Sequence, residues 1–150
     1  MKFFDDIEVG DAEEFGAYDV TKAEIIEFGE KYDPQPFHVD EGAAEESFFG
    51  ELVASGWHTA AICMRLNVDR MKQSEIAARA GVGVDALRWH EPVRPGDTLS
   101  LRTEVLEKRP SDGHSDRGYV TVSMAGVNQN DVVVISFEAT IIVARDVASS

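Results

Sequence analysis

The spacing of hydrophobic residues changes at Gly81. Before this residue, apolar side chains recur at helical intervals, and after it they alternate with polar side chains, as they do in strands. In the first part, a turn and a short strand that ends near Val20 precede TKAEIIEFGEKY, residues 21–32, which predicts a helix. Thr21 and Glu24 have the spacing of a capping box at the start of this helix.

Two more helices and a short one are predicted before the strands begin. The longest corresponds to LVASGWHTAAICMRLNVDRM, residues 52–71, where a run of small residues precedes an apolar face. KQSEIAARAG, residues 72–81, predicts a second helix that ends at Gly81. Upstream of both, Asp40 is placed to cap a short helix within residues 41–49.

Four strand-like segments follow, and each is separated from the next by residues typical of turns. They are VGVDALRWHEPV (82–93), DTLSLRTEVLEKR (97–109), RGYVTVSMAGVNQ (117–129) and DVVVISFEATIIVAR (131–145). One strand, then helices, then four antiparallel strands predict the α+β class, with a curved sheet and the helices on one side of it. No repeat or linker interrupts the pattern, so we expect a single domain over residues 1–150.

Composition excludes several functions. The formal net charge of −14 disfavours nucleic acid and anionic membranes as partners, because both attract basic surfaces. The single cysteine, Cys63, excludes an internal disulfide and lies in an apolar helical pattern, so we expect a small buried side chain. The chain has no signal-peptide pattern and no apolar run long enough to span a membrane, and we expect a cytoplasmic protein. We also expect no metal and no cofactor, since neither metal-ligand spacing nor a dinucleotide fingerprint occurs.

The segment YDPQPFHVD, residues 32–40, contains the clearest candidate chemistry. Pro34 and Pro36 end the preceding helix and predict a stiff, non-helical segment. Asp33 and His38 stand five residues apart on it, and a histidine beside a carboxylate can act as a general acid and base. The spacing alone leaves two interpretations open, a catalytic pair or a capping aspartate followed by a surface histidine.

The same segment resembles the signature of the MaoC-like family of hot-dog hydratases and dehydratases. LVASGWHTAAICMRL and LRWHEPVRPGDTL extend the resemblance to nearly the whole chain, from about Phe4 to Val143. Asp33, His38 and Asp40 match the family pattern in the first motif, where Gln35 replaces the usual asparagine. In the second motif, Gly56 is retained, while Ser55 replaces a histidine and Trp57 replaces a methionine or similar apolar residue.

The resemblance implies a hot-dog fold, in which a curved antiparallel sheet wraps around a long central helix. It also implies hydration of a trans-2-enoyl thioester, or the reverse dehydration, as in fatty acid metabolism. Asp33 and His38 would activate water, and the N–H of Gly56 would bind the thioester oxygen; Ser55, Trp57 and Gln35 complete the predicted substrate site. The implied partners are an acyl-CoA or acyl-carrier thioester and a second copy of the chain, in a homodimer or a dimer of dimers.

The sequence also allows other functions and other site residues. A hot-dog thioesterase would use Glu41, Glu45 or Glu46 as a base, and a non-catalytic protein would only bind an acyl thioester. His58 is a further candidate for the acyl pocket. Arg88 and Arg94 are candidate contacts to CoA phosphates, although an exposed arginine on a strand is more often simply part of the surface.

Overall fold

The computed structural model describes residues 1–146. Their five strands form one antiparallel sheet in the order β1-β3-β4-β5-β2, so β1 and β2 are the edges. The strands are β1 (Ala12–Asp19), β2 (Ala78–Trp89), β3 (Thr98–Pro110), β4 (Arg117–Val127) and β5 (Val133–Ala144). The helices are α1 (Lys22–Tyr32), α2 (Pro36–Val39), α3 (Glu41–Glu45) and α4 (Gly56–Ser74), and a 3-10 turn covers Phe4–Asp6.

The sheet wraps around α4, and the main core lies between them. Ile62, Cys63 and Leu66 form the buried stripe of α4, with the three- and four-residue spacing of one helical face. They pack against buried side chains of the sheet, which include Leu99, Leu101, Met124, Ile135 and Phe137. Each such side chain contributes about 1.5–3 kcal/mol when it is buried. The α+β hot-dog prediction is confirmed, and no helix within residues 1–146 has both the length and the apolar character needed to cross a membrane.

Cys63 is fully buried, as predicted from its apolar surroundings. Burial raises the pKa of its thiol to about 12, because the thiolate would lose its hydration. The side chain therefore acts as a small core residue, and its sulfur lies against the position that a Cβ would occupy at Gly126.

The helix predicted for residues 72–81 is wrong. Helix α4 continues to Ser74, and Glu75 then ends it in the left-handed conformation, with φ 53° and ψ 39°. Strand β2 begins at Ala78, which pairs with Val143 of β5. Alanine favours helix, but local propensity is a weak preference in any residue, and the pairing with β5 outweighs it.

The sequence predicted a non-helical segment around the two prolines, and this prediction is wrong for residues 36–39. Pro36 is the first residue of α2, and His38 lies within this single turn. Proline is tolerated at this position because the N–H it lacks would have no partner inside the helix. The sequence correctly places the end of α1 at Tyr32 and the cap of α3 at Asp40, whose side chain accepts hydrogen bonds from the N–H groups of the first turn.

Only half of the predicted capping box forms. The Thr21 hydroxyl accepts a hydrogen bond from the N–H of Glu24 at 3.2 Å, which starts α1. The Glu24 carboxylate turns away from the cap and accepts hydrogen bonds from the Tyr18 hydroxyl and from Nε2 of His58. The Glu24 carboxylate thus binds two part-buried side chains instead of the exposed backbone N–H of Thr21.

Gly16 lets β1 approach the central helix at the irregularity between Phe15 and Tyr18. Its φ of 84° favours glycine, and a Cβ there would lie 2.6 Å from Cδ2 of Leu66. We predict that Gly16→Ala lowers the free energy of unfolding by about 1–3 kcal/mol, through overpacking and strain. Urea unfolding measures this change. Gly10→Ala is the matched control, because Gly10 also has a positive φ but open space around it; an equal loss in both variants would contradict the packing role.

Candidate active site

The caps of two helices bring the candidate catalytic residues together. Asp33 is the C-cap of α1, and its N–H donates to the carbonyl of Gly29 at 2.9 Å. Ser55 is the N-cap of α4 and is fully buried. The Ser55 hydroxyl donates to Oδ2 of Asp33 at 2.7 Å, which ties the end of α1 to the start of α4.

Both oxygens of the Asp33 carboxylate have partners. The side-chain amide of Gln35 donates to Oδ1 at 2.8 Å, and Nε2 of His38 lies 3.4 Å from Oδ2, beside the Ser55 hydroxyl. The Asp33 side chain is 19% exposed, so it is held in place but still reachable by water. A carboxylate offers about four lone pairs, and these contacts leave capacity for a water molecule.

His38 is buried, and one of its nitrogens is committed to the backbone. Nδ1 lies 2.7 Å from the carbonyl oxygen of Val53. A carbonyl can only accept, so Nδ1 carries a proton, and whenever the ring is neutral Nε2 presents a lone pair beside Asp33. The edge contact between the rings of Phe37 and His38, with centroids 4.5 Å apart, further restricts the imidazole. The arrangement thus presents a base, Nε2, next to a carboxylate.

The pKa of the Asp33 carboxyl lies below its usual value. Partial burial acts in the opposite direction and would raise it, but the hydrogen bonds from Ser55 and Gln35, and the positive charge of the nearby His38 ring when it is protonated, together lower the pKa. The ionised form is therefore favoured. The stability that these contacts add is present above the unfolded-state pKa and is lost as the pH falls through the folded-state pKa.

A pocket of about 460 Å³ opens in front of the pair. Besides Asp33, Gln35 and His38, its lining includes Gly56, Trp57 and Thr59 at the start of α4 and a wall of apolar and aromatic side chains. That wall contains Phe37, Phe48, Phe49, Val53, Ala54, Trp89, Pro92 and Val93. Aromatic walls with a few convergent polar groups are typical of sites for small apolar ligands.

Gly56 lies directly against Trp89. The indole ring of Trp89 occupies the space beside the glycine, and a Cβ at Gly56 would overlap it. The ring also donates from Nε1 to the carbonyl of Gly56 at 2.8 Å. Trp57 lies on the pocket wall, 58% exposed, with its ring edge-on to Trp89.

The structure separates His58 from the pair. Its side chain lines a second cavity, with Glu24 and Tyr18, and does not contact the first. Nε2 of His58 lies 3.0 Å from Oε1 of Glu24, its ring stacks on Phe28, and its buried Nδ1 has no partner within residues 1–146. Burial and the Glu24 carboxylate raise the pKa of Tyr18 to about 12.

The two arginines considered for CoA phosphates do not line the pocket. Arg94 pairs with Glu51 at 2.9 Å, and Arg88 is exposed and donates to the carbonyl of its neighbour Leu87. Trp89, in contrast, lines the pocket and was missed as a site residue, because one aromatic residue at a strand end has no distinctive spacing. In the part of the chain that the structure describes, no three His, Cys, Asp or Glu side chains cluster as metal ligands.

Fold and site together define a hot-dog protein in which an aspartate and a histidine meet near the start of the central helix. The sequence matches the MaoC like domain over residues 8–128, and the chain belongs to this family, a family of dehydratases.

Three relatives show how far the similarity extends. The crystal structure of a MaoC-like dehydratase from Rhodospirillum rubrum is 43% identical, covers 96% of this chain and 97% of its own, and superimposes with a TM-score of 0.87. The uncharacterized protein YdeM of Bacillus subtilis is 30% identical over 94% of this chain and 98% of its own length. The 3-hydroxybutyryl-CoA dehydratase of Methylorubrum extorquens is 27% identical over 72% of this chain and 66% of its own length.

Ser55→Ala tests whether the contact between the two caps controls Asp33. We predict that the variant raises the pKa of the Asp33 carboxyl, because it removes a hydrogen bond that favours the ionised form. The loss of an N-cap should also cost about 0.5–2 kcal/mol of stability. Carbon-detected NMR titration of the carboxyl measures the pKa.

Thr21→Ala is the matched control for Ser55→Ala. It also removes an N-cap hydroxyl, that of α1, but Thr21 makes no contact with Asp33. The control should lose comparable stability and leave the pKa of Asp33 unchanged. If both variants shifted this pKa alike, the direct role of the Ser55 hydroxyl would be wrong.

Proposed function

We propose that the protein catalyses the reversible hydration of a trans-2-enoyl thioester, with Asp33 and His38 as the catalytic pair. The observation that carries this proposal is the contact between the buried His38 and the partly buried Asp33, which opens on an apolar pocket beside the first turn of α4. The family and the Methylorubrum relative support the same class of reaction, the addition or removal of water. The proposed unit of function is the single domain that the sequence predicts over residues 1–150.

In the proposed reaction, one water molecule binds between Nε2 of His38 and the Asp33 carboxylate. Nε2 has a free lone pair because Nδ1 already donates to Val53, so it accepts the proton as the water oxygen attacks the β carbon. The imidazolium that forms is stabilised by Asp33 beside it. Nε2 then gives the proton to the α carbon, and the net change is the addition of one water across the double bond.

Charge that develops on the thioester oxygen needs a hydrogen-bond donor. Gly56 is the first residue of α4, a helix of 19 residues, and its N–H is among those that find no acceptor inside the helix. The positive end of the helix dipole also favours negative charge at this place. We therefore assign the N–H of Gly56 to the thioester oxygen, while Trp57 and the other aromatic side chains bound the acyl group.

The charges around the pocket indicate where the CoA or acyl-carrier part of the substrate would lie. Among the described residues, no lysine or arginine lines the pocket, and Glu91 adds a negative charge to it. The phosphates of CoA or of an acyl carrier therefore lie outside the pocket, where they avoid this charge. This arrangement suits a neutral acyl group inside and an anionic carrier at the surface.

No observation favours the thioesterase alternative. Glu41, Glu45 and Glu46 are exposed and do not line the pocket with Asp33 and His38. Glu41 forms an ion pair with Lys22 on the surface. A protein that only binds acyl thioesters would need Asp33 and His38 to be inactive. The geometry of their contact gives no reason for such inactivity.

We predict that Asp33→Asn and His38→Ala each lower kcat/KM for hydration of crotonyl-CoA by at least ~100-fold, the usual contribution of a positioned acid or base. Loss of the conjugated thioester absorbance follows the reaction. His114→Ala is the control, because His114 is exposed on the loop between β3 and β4. If both site variants retained the wild-type rate, the catalytic assignment would be wrong.

We also propose that the protein is a homodimer that pairs through β2. This edge strand of 12 residues is mostly exposed along its length, and it presents Val82 and Val84 to solvent. Long exposed edges with apolar side chains are normally covered in native proteins. A second copy of the same strand, related by a two-fold axis, would cover both edges at once.

Light scattering after size-exclusion chromatography tests the dimer. We predict a dimer for the wild type and a monomer for Val82→Glu/Val84→Glu, because paired copies would bring four carboxylates together. Val9→Glu is the control: Val9 is 58% exposed, close to the 53% and 54% of Val82 and Val84, but lies before β1. A monomeric wild type, or a dimer that the double change leaves intact, would exclude pairing through this strand.

A further inference from the structure

We propose that Trp89 is a positioning residue for Asp33, acting from the end of β2 through a chain of hydrogen bonds that ends on the carboxylate. The proposal concerns the site of the proposed hydration and rests on that function for its catalytic meaning. The contacts themselves do not depend on it, since they are made by residues of the chain alone.

The chain has three links. Nε1–H of Trp89 donates to the carbonyl of Gly56 at 2.8 Å. The N–H of the same peptide unit, which belongs to Trp57, donates to Oγ of Ser55 at 3.3 Å. The Ser55 hydroxyl then donates to Oδ2 of Asp33 at 2.7 Å.

Each of the three bonds donates to the next group along the chain, and the last one donates to the carboxylate. Each bond therefore polarises the next in the same sense, and a chain of this kind is stronger than its separate members, by roughly 10–30% per bond. The negative charge of Asp33 at the end of the chain strengthens the last link, because hydrogen bonds to ionised groups are about twice as strong as neutral ones. Trp89 thus helps to hold Asp33 ionised and oriented.

Packing fixes the first link. The Trp89 ring covers Gly56 so closely that a Cβ there would overlap it, and the Trp57 ring meets Trp89 edge-on with centroids 5.1 Å apart. Trp89 itself pairs with Ile135 in the sheet. The indole is therefore positioned by β2 and β5, whereas the carboxylate it acts on lies at the end of α1.

Other titratable groups face the same pocket and must be followed separately. His38 contacts Asp33 from α2, and His90 and Glu91 line the pocket just after β2. Nε2 of His90 lies 2.7 Å from the Ser136 hydroxyl on β5. The ion pair of Glu51 and Arg94 flanks this region, and its charges balance each other.

The test is an NMR titration of the Asp33 carboxyl in the full-length wild type, Trp89→Phe, Ser55→Ala and the double variant. Phenylalanine keeps most of the ring but lacks the N–H. We predict that Trp89→Phe raises the pKa of Asp33 by up to roughly a tenth of the rise in Ser55→Ala, because an effect of about 10–30% per bond passes through two links before it reaches the carboxylate. In the Ser55→Ala background, Trp89→Phe should add no further rise, because the chain is already cut.

The control is Trp57→Phe. The Trp57 indole lines the same pocket, but the indole N–H has no hydrogen-bond partner among residues 1–146. Trp57→Phe keeps the backbone N–H that donates to Ser55, so it should leave the pKa of Asp33 unchanged. The proposal is overturned if Trp89→Phe leaves this pKa at the wild-type value, or if its effect is equally large with and without Ser55.

A second measurement needs no change at Trp89. In the wild type, the Trp89 indole N–H signal should shift with the midpoint of the Asp33 carboxyl, and this component should vanish in Asp33→Asn. The Trp57 indole signal serves as the internal reference. If the chemical shift of the Trp89 indole N–H does not change at the midpoint of the Asp33 titration, the proposal is overturned. This result does not require that Trp89→Phe folds. Neither titration requires activity, so a failure of the hydration proposal would be seen separately, in the crotonyl-CoA assay.

Discussion

The hydrogen bond from Ser55 to Asp33 is the contact on which the candidate site depends. It joins the C-cap of α1 to the N-cap of α4, two helix ends that are 22 residues apart in the chain. Both residues serve their own helix as well, so the site is built from groups that the helices need in any case. The carboxylate, the imidazole and the free N–H of α4 are then held on one wall of the pocket, with little conformational freedom left to lose.

The sheet contributes to the same site from the other side. Strand β2 ends at Trp89, whose ring covers Gly56 and whose N–H binds the carbonyl of the first residue of α4. The edge strand proposed for dimer formation thus also bounds the pocket. If two copies pair along β2, the dimer would stabilise the strand that positions this indole, and assembly and chemistry would share one element.

Much of this arrangement could be predicted from the sequence, and the failures have physical causes. The change of period at Gly81, the strand alternation and the turns predict the α+β sheet, and the motif around Asp33 and His38 predicts the pair that the structure brings together. The helix predicted for residues 72–81 is wrong because long-range pairing with β5 overrides local propensity. The link from Trp89 to Gly56 could not be predicted, because it joins residues 33 positions apart and no local pattern encodes it.

The site residues Ser55 and Gln35 show the limit of motif reasoning. Their places in the motifs suggest contacts with the substrate, whereas their side chains in the structure both donate to Asp33. A motif shows which residues lie near a site, but the partner of each side chain follows from geometry. The missing side chain at Gly56 likewise makes room for a ring of the protein itself, because Trp89 fills the space beside it.

Hydration is tested most directly by incubating the wild-type protein with crotonyl-CoA and following the conjugated thioester absorbance and free thiol together. We predict that the absorbance falls to an equilibrium value and no thiol appears, because water adds to the double bond and the thioester stays intact. Release of thiol at the same rate as the loss of thioester would contradict it and indicate hydrolysis. Tight binding of crotonyl-CoA and longer enoyl-CoAs without any turnover would contradict it as well and indicate a binding protein.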